Sequence, residues 1–377
     1  MHKIKIAIKH LLIGLINCLV FPSKEIQTKS LLIIKLDAIG DYIIFRNFLE
    51  ITKNSDKYKD YEITLLGNDA WKDLAIELDS SFINNFIWIN RAKFNKKIFY
   101  RYSKMCEITA QGYEVVVSPV YSRDYFIVDN IVKMLSANLK IGSVGENNKI
   151  SQDALRRGNK YYTSLISANS KVIFEFYRNK EFFEALIGST IYLNKPNLKL
   201  NQSISEIKLP TKYAVLFIGA GKAFRRFDIK NYVEIAFYLQ SKYKYKIVLC
   251  GGKSELEDSS KFQTLFKNQY TDLVGKTSLL DLCYIVSNSD FIIANESSAP
   301  HISASLNVNK TIVISNGNHY GRFTPYPKEV YENYVGIFPD EIYDLKAKDY
   351  YGNTSELDIN KISLTKVFRE IDNIFKK

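Results

Sequence analysis

Three short stretches hold the residue types that could do chemistry. The first, Lys35-Leu36-Asp37-Ala38-Ile39-Gly40-Asp41, sets two carboxylates around a glycine just after the apolar run Leu31-Leu32-Ile33-Ile34. A carboxylate fixed there can take a proton from a hydroxyl nucleophile. Asp41 also stands where a helix begins, and an aspartate at such a place is more often a cap than a base. Asp37 is the rival acid and equally suits a turn. The second stretch is Gly219-Ala220-Gly221-Lys222-Ala223-Phe224-Arg225-Arg226-Phe227. Gly219 and Gly221 let backbone N–H groups approach an anion, while Lys222, Arg225 and Arg226 add charge, a combination suited to a diphosphate. A solvated basic loop is the alternative. The third is Asn295-Glu296-Ser297-Ser298-Ala299-Pro300-His301. Pro300 fits a first helical turn, whose free N–H groups can hold a phosphate. Glu296 has the wrong sign for that and suits a ribose or sugar hydroxyl instead. Alone, His301 reads as a packed, hydrogen-bonded histidine more readily than as a catalyst.

Several chemistries are excluded by spacing. Phe224 stands where a dinucleotide fingerprint needs its third glycine, and no Gly-Lys-Ser/Thr completes a Walker A loop. Ser297 and Ser298 have no G-x-S-x-G elbow around them. Cys18, Cys106, Cys250 and Cys283 are scattered, and His2, His10, His301 and His319 show no ligand spacing, so neither a zinc site nor a disulfide framework is expected. A reducing cytoplasm is then the simplest compartment. No Asp-x-Asp occurs, so the sequence gives no pattern for a divalent metal on a diphosphate, and no metal or other cofactor is expected.

Each stretch must be positioned by a strand running into a helix. Leu31–Ile34, Tyr61–Leu66, Phe86–Ile89 and Glu114–Val117 read as buried strands. They alternate with helices over Tyr42–Ile51, Ala70–Leu78 (capped by Asp69) and Phe94–Thr109. From Ser143 to Asn201 the pattern weakens, with helical pieces over Tyr161–Ile166 and Phe174–Ile187. The alternation then restarts. Strands are expected at Tyr213–Ile218, Lys246–Cys250, Phe291–Ala294 and Thr311–Ile314. Helices are expected at Ile229–Ser241, Glu255–Phe266, from Ser278 through Val286, from Pro300 to Leu306, and at Leu364–Phe375. Two such arrays predict an α/β protein with two mainly parallel sheets and a ligand cleft between them. The 377 residues suit two domains of about 150–200 residues each.

The 46% hydrophobic and 24% charged fractions argue against disorder, and the net charge of +12 favours an anionic partner. The cations are spread without a nucleic-acid module, so nucleic acid is not the expected partner. At the N-terminus, Leu11–Phe21 is a run without charged residues, apolar but for Asn17 and shorter than the roughly 20 residues that span a bilayer. Pro22-Ser23-Lys24 is a poor signal-cleavage site. A helix in the membrane interface, with Lys3, Lys5 and Lys9 near anionic headgroups, is one reading; a helix packed on the protein is the other.

In order and spacing, these segments resemble glycosyltransferase family 9, the ADP-heptose:lipopolysaccharide heptosyltransferases. Lys35–Asp41 is similar to that family's N-terminal motif. Phe217-Ile218-Gly219-Ala220-Gly221 with Arg225-Arg226-Phe227 resembles its C-domain entry. Asp272–Leu282 is similar to its L-x-G-K-T-S-L-x-E-L segment, and Asn295–His301 to its N-D-S-G-P-x-H loop. The resemblance implies a GT-B fold, two Rossmann-like domains facing a central cleft. After the segment 1–22, assigned above to the membrane interface on its own residues, it implies an acceptor-binding domain over 23–205. A nucleotide-sugar-binding domain over 206–345 and a helical extension over 346–377 follow.

It further implies inverting, metal-independent transfer of a sugar from a nucleotide-sugar, ADP-heptose first, to a lipid-linked cell-surface glycan. The place would be the inner face of the bacterial cytoplasmic membrane. Asp41 matches the family's base, Arg225 its diphosphate-contacting cation, and Ser297 and Ser298 the loop whose backbone approaches that diphosphate. Glu296 matches its donor-binding acid. The departures are Glu296 for Asp, Ser298 for Gly, Phe217-Ile218 for His-Pro, and Gly317–Phe323 for F-G-P-T. They leave a relative with another nucleotide-sugar, or a non-catalytic nucleotide- or glycan-binding protein, as alternatives.

Overall fold

The computed structural model describes residues 2–146, 151–200, 207–343 and 352–376, with side chains from residue 9 onward. The side chains of Lys3 and Lys5, and the divisions placed at 205/206 and 345/346, lie outside the described residues. The chain forms two compact units, Met1–Ser170 with Tyr177–Tyr192, and Lys171–Phe176 with Leu193–Lys377.

Unit 1 is built on a six-stranded sheet, β1 (Ile26–Lys35), β2 (Glu62–Asn68), β3 (Asn85–Ile89), β4 (Gly112–Ser118), β5 (Ala137–Ser143) and β6 (Ser164–Ile166). The order is 3-2-1-4-5-6 and every pairing is parallel. Leu31–Ile34 are fully buried, because helices cover both faces of such a sheet. Unit 2 repeats the plan with β7 (Tyr213–Phe217), β8 (Lys246–Cys250), β9 (Thr271–Asp272), β10 (Phe291–Asn295), β11 (Thr311–Ile314) and β12 (Tyr334–Ile337). Its order, 12-11-10-7-8-9, is the same winding and is again all parallel. In each unit the order reverses between the first and fourth strands, and the loops at their carboxyl ends diverge to leave room for a ligand.

Local departures from the sequence reading have local causes. The helix over Tyr42–Ile51 is two, Ile39–Phe45 and Asn47–Asn54. Arg46 keeps helical dihedrals, but its carbonyl bonds the Leu49 N–H at i+3. Asn68, not Asp69, caps the next turn, its side chain accepting from Ala70 N–H at 3.2 Å, and the helix proper is Lys72–Asp79. Phe94–Thr109 also divides, into Arg91–Lys96 and Ile98–Ile108, at an extended Lys97. Ser164–Ile166, read as helical, is the edge strand β6, and the helix lies earlier, at Gln152–Asn159. The last helix, Leu364–Phe375, buries Val367, Ile371 and Ile374 in the unit 2 core.

Candidate functional site

In unit 1 the loop after β1 is held from beneath. Asn68 Nδ2 donates to the carbonyls of Leu36 (3.3 Å) and Asp37 (3.1 Å), and Trp71 Nε1 also donates to Asp37 O at 3.1 Å. Trp71 stacks on Tyr42 with ring centroids 4.3 Å apart. The Tyr42 hydroxyl donates to the buried Asp79, which Arg46 meets at 2.7 Å. The floor under the loop is therefore a packed and hydrogen-bonded platform. Asp37 faces the buried Lys35 at 2.9 Å, with Arg91 Nη1 at 3.9 Å from its other oxygen, and is held by ion pairs. Asp41 lies within the first turn of the helix that starts at Ile39, half-buried. The residue before that helix is Ala38, which makes no side-chain cap bond, so Asp41 does not occupy the cap position.

In unit 2 the second and third stretches leave the carboxyl ends of β7 and β10, neighbours at the point of reversal. Asn295, the last residue of β10, ties them together. Its Nδ2 donates to Ile218 O at 2.7 Å and its Oδ1 accepts from Phe227 N–H at 3.0 Å, so one buried amide holds both ends of the 219–226 loop. A Cβ on Gly221 would stand 2.9 Å from Arg225 Nη2, and one on Gly219 would stand 3.0 Å from Glu255 Oε2. The glycines serve close approach here. The loop also borders a groove of about 460 Å³ lined by Phe224, Arg226 and residues 354–360.

The three cations divide. Arg225 reaches Glu296 Oε1 at 3.4 Å, its side chain is 22% exposed, and its Nε is buried without a partner among the described residues. Arg226 turns to Glu255 at 2.6 Å and Asp258 at 3.7 Å. Lys222 is exposed and has no ion-pair partner among the described residues. Glu296 is buried, and its Oε2 accepts from Ser315 Oγ at 2.6 Å. Burial holds its carboxyl above the usual range, against the opposing pull of Arg225 and of the Ser315 and Asn318 side chains. Ser297 caps the helix Ser298–Ser305, accepting from Ala299 N–H at 3.4 Å. Its first-turn N–H groups have no acceptors within the helix. Together, a guanidinium with an unused N–H, a free ammonium and a helix start can bind a doubly charged phosphate group, with a carboxyl beside it for hydroxyls.

His301 is buried with its Nδ1 2.7 Å from Tyr326 Oη. Burial first, then Arg225, pulls its pKa down to about 4. The folded state thus takes up its proton later than the unfolded chain, whose value is near 6.5. Its contribution to stability is complete above about pH 6.5 and declines as the pH falls toward 4. Denaturant titrations over that range should show a steeper loss in wild type than in His301→Asn; equal slopes would contradict a buried neutral imidazole.

Sequence reasoning missed Glu255, Ser315 and Asn318. Glu255 follows the Gly251-Gly252 turn after β8 and accepts from Gly252 N–H at 2.8 Å, a spacing that was there to be noticed. Ser315, just past β11, had no pattern around it.

Comparison with known proteins agrees with this picture. Residues 107–337, more than half of the chain, match the pattern described as glycosyltransferase family 9 (heptosyltransferase). A lipooligosaccharide heptosyltransferase 2 of Campylobacter jejuni subsp. jejuni serotype O:2 is 25% identical over 173 residues, 41% of this chain and 53% of that protein. The match thus spans only about half the length of that curated relative. Among solved structures, a glycosyl transferase family 9 protein from Veillonella parvula superposes with a TM-score of 0.68 at 16% identity, covering 94% of this chain and 99% of that one. The E. coli heptosyltransferase WaaC, solved with ADP-2-deoxy-2-fluoro heptose, gives a TM-score of 0.65 at 16% identity, covering 91% and 99%. The two six-stranded parallel sheets are those of the GT-B fold.

Proposed function

The chain belongs to glycosyltransferase family 9, and from that premise we propose that it is an inverting, metal-independent glycosyltransferase. Its donor is a nucleotide-sugar, ADP-heptose first, and its acceptor a lipopolysaccharide or related lipid-linked glycan. The observation that carries this reading is the pair of loops at the β7/β10 reversal, stapled by Asn295 and carrying Arg225 and Glu296. The name of the Campylobacter relative and the donor analogue held by WaaC support the sugar and the nucleotide.

In this mechanism Asp41 accepts the proton of the acceptor hydroxyl as its oxygen attacks the anomeric carbon. The C–O bond to the diphosphate breaks on the opposite face, which inverts the centre. The departing nucleoside diphosphate gains charge, which Arg225, Lys222 and the N–H groups of Ser297 and Ser298 stabilise. Glu296 receives a hydroxyl of the donor. Arg226, held on Glu255 and Asp258, shapes the donor loop. In this reading His301, hydrogen-bonded to Tyr326, belongs to the donor site. A lipid-linked acceptor puts the reaction at the inner face of the cytoplasmic membrane, with the enzyme as a peripheral protein. No helix among the described residues is long and apolar enough to cross a membrane.

A second reading keeps the chemistry and changes the donor. Glu296 carries one methylene more than the family's aspartate, in a buried site where that length moves the carboxylate. Nucleotide release from ADP-heptose and from UDP-, GDP- and TDP-sugars tests both readings. ADP release from ADP-heptose supports the first, and turnover of another donor the second. Tight calorimetric binding of a donor with no turnover on any acceptor would replace both with a binding protein.

A further inference from the structure

The N-terminal helix, His2–Leu19, is neither wholly packed nor free. Ile13, Ile16 and Val20 are buried, and the last two belong to the unit 1 core. The other side of the helix is also apolar: Leu11, Leu12, Leu15 and Leu19 are 65, 37, 55 and 59% exposed, and Phe21 beyond it is 86% exposed. Between Lys9 and Lys24 the only ionisable side chains are His10 and Cys18. A helix with apolar residues on both its covered and its open side has a second partner to meet.

The helix Ile98–Ile108 packs beside it. Two bonds flank the pair: Lys9 Nζ donates to Asn95 Oδ1, in the short helix Arg91–Lys96 just before the second helix, at 2.7 Å, and Ser23 N–H donates to the C-cap carbonyl of Thr109 at 2.9 Å. That second helix exposes Ile98 (47%), Phe99 (89%) and Tyr102 (39%). Eight of the sixteen large exposed apolar side chains among the described residues therefore sit on these two helices and at Phe21. Lys93, Lys96 and Lys97, all exposed, stand immediately before Ile98. The acids nearby in sequence are Glu107, paired with Lys104 at 2.7 Å, and Glu25.

We propose that these two helices form one membrane-docking face that seats on an anionic phospholipid bilayer, with the apolar strips in the headgroup–acyl boundary and Lys93, Lys96 and Lys97 on the phosphates. This deepens the transferase reading, which needs a lipid-linked acceptor, by naming the surface that finds it. A second copy of the chain is the weaker occupant, because self-association would bring like lysines together, whereas an anionic bilayer is complementary to them. The N-terminal helix is part of the fold here, so deleting it would also strip Ile16 and Val20 from the core. Point changes on its open side are the sharper test.

Co-sedimentation with vesicles of phosphatidylethanolamine plus phosphatidylglycerol, against phosphatidylcholine alone, reads the proposal directly. Wild type should prefer the anionic vesicles. Leu15→Glu and Phe99→Glu should each lower partitioning about tenfold or more. Lys96→Gln with Lys97→Gln should lower it on anionic vesicles by roughly tenfold or more, since each lysine contributes about fivefold. Nucleotide release from the donor in solution should be unchanged in Leu15→Glu, which separates failure of this face from failure of the transferase reading. Partitioning of Leu15→Glu and Phe99→Glu like wild type, or no binding by wild type, would overturn the proposal. So would a wild-type dimer that Leu15→Glu makes monomeric, since a second copy would then be the occupant.

Discussion

Asp41→Asn should lower turnover by about 10²-fold or more while the nucleotide-sugar still binds. The substitution keeps the size of the side chain and removes its capacity to take a proton. Donor binding should persist because the groups assigned to it, from Gly219 to Arg225 and from Glu296 to His301, belong to unit 2. The effect should appear in single-turnover rate at saturating donor and acceptor, with calorimetric donor affinity within a few-fold of wild type. The control is Asp37→Asn. Asp37 faces buried Lys35 at 2.9 Å, so its loss should lower the melting temperature more than the rate per folded molecule. The reverse pattern, a stable and nearly active Asp41→Asn beside a folded but inactive Asp37→Asn, would transfer the role of base to Asp37.

This contrast between the two aspartates was not readable from the sequence. Both flank the same glycine turn, and only the structure shows one paired with a lysine and the other past the cap position. The elements themselves were far more legible. Lys246–Cys250, Thr311–Ile314 and Leu364–Phe375 have the bounds that their apolar patterns indicate. Strands buried on both faces announce themselves as unbroken apolar runs. The edge strands Ser164–Ile166 and Thr271–Asp272 do not, because they are two or three residues long and only partly covered. Breaks such as Lys97 depend on packing that no local pattern encodes. At the candidate site, the residues that touch a ligand by hypothesis stood out as motifs. Those that fix them did not: Asn295 spans 77 residues to reach Ile218, and Ser315 meets Glu296 only because β10 and β11 are neighbours.

Arg225→Ala should reduce kcat/KM for the donor by roughly 10- to 100-fold or more, through weaker donor binding and a slower departure of the diphosphate. Arg225 presents a buried Nε–H that no described residue accepts, and a partly exposed guanidinium over Gly221. A buried donor without a partner is costly to keep, and an anion in reach would satisfy it. Each charge-assisted bond of this kind contributes about 1.5–3 kcal/mol, and one or two of them account for the expected loss. Arg225→Lys should recover only part of it, because an ammonium restores charge but not the two-pronged geometry. Arg226→Ala is the discriminating companion. Arg226 is engaged by Glu255 and Asp258, so its loss should disturb loop stability while leaving most of the affinity for nucleoside diphosphate. Calorimetry with the nucleoside diphosphate alone, beside steady-state kinetics on the full donor, ranks the two. If Arg225→Ala binds and turns over like wild type while Arg226→Ala does not, the diphosphate lies on the Glu255 side of the loop and the assignments exchange.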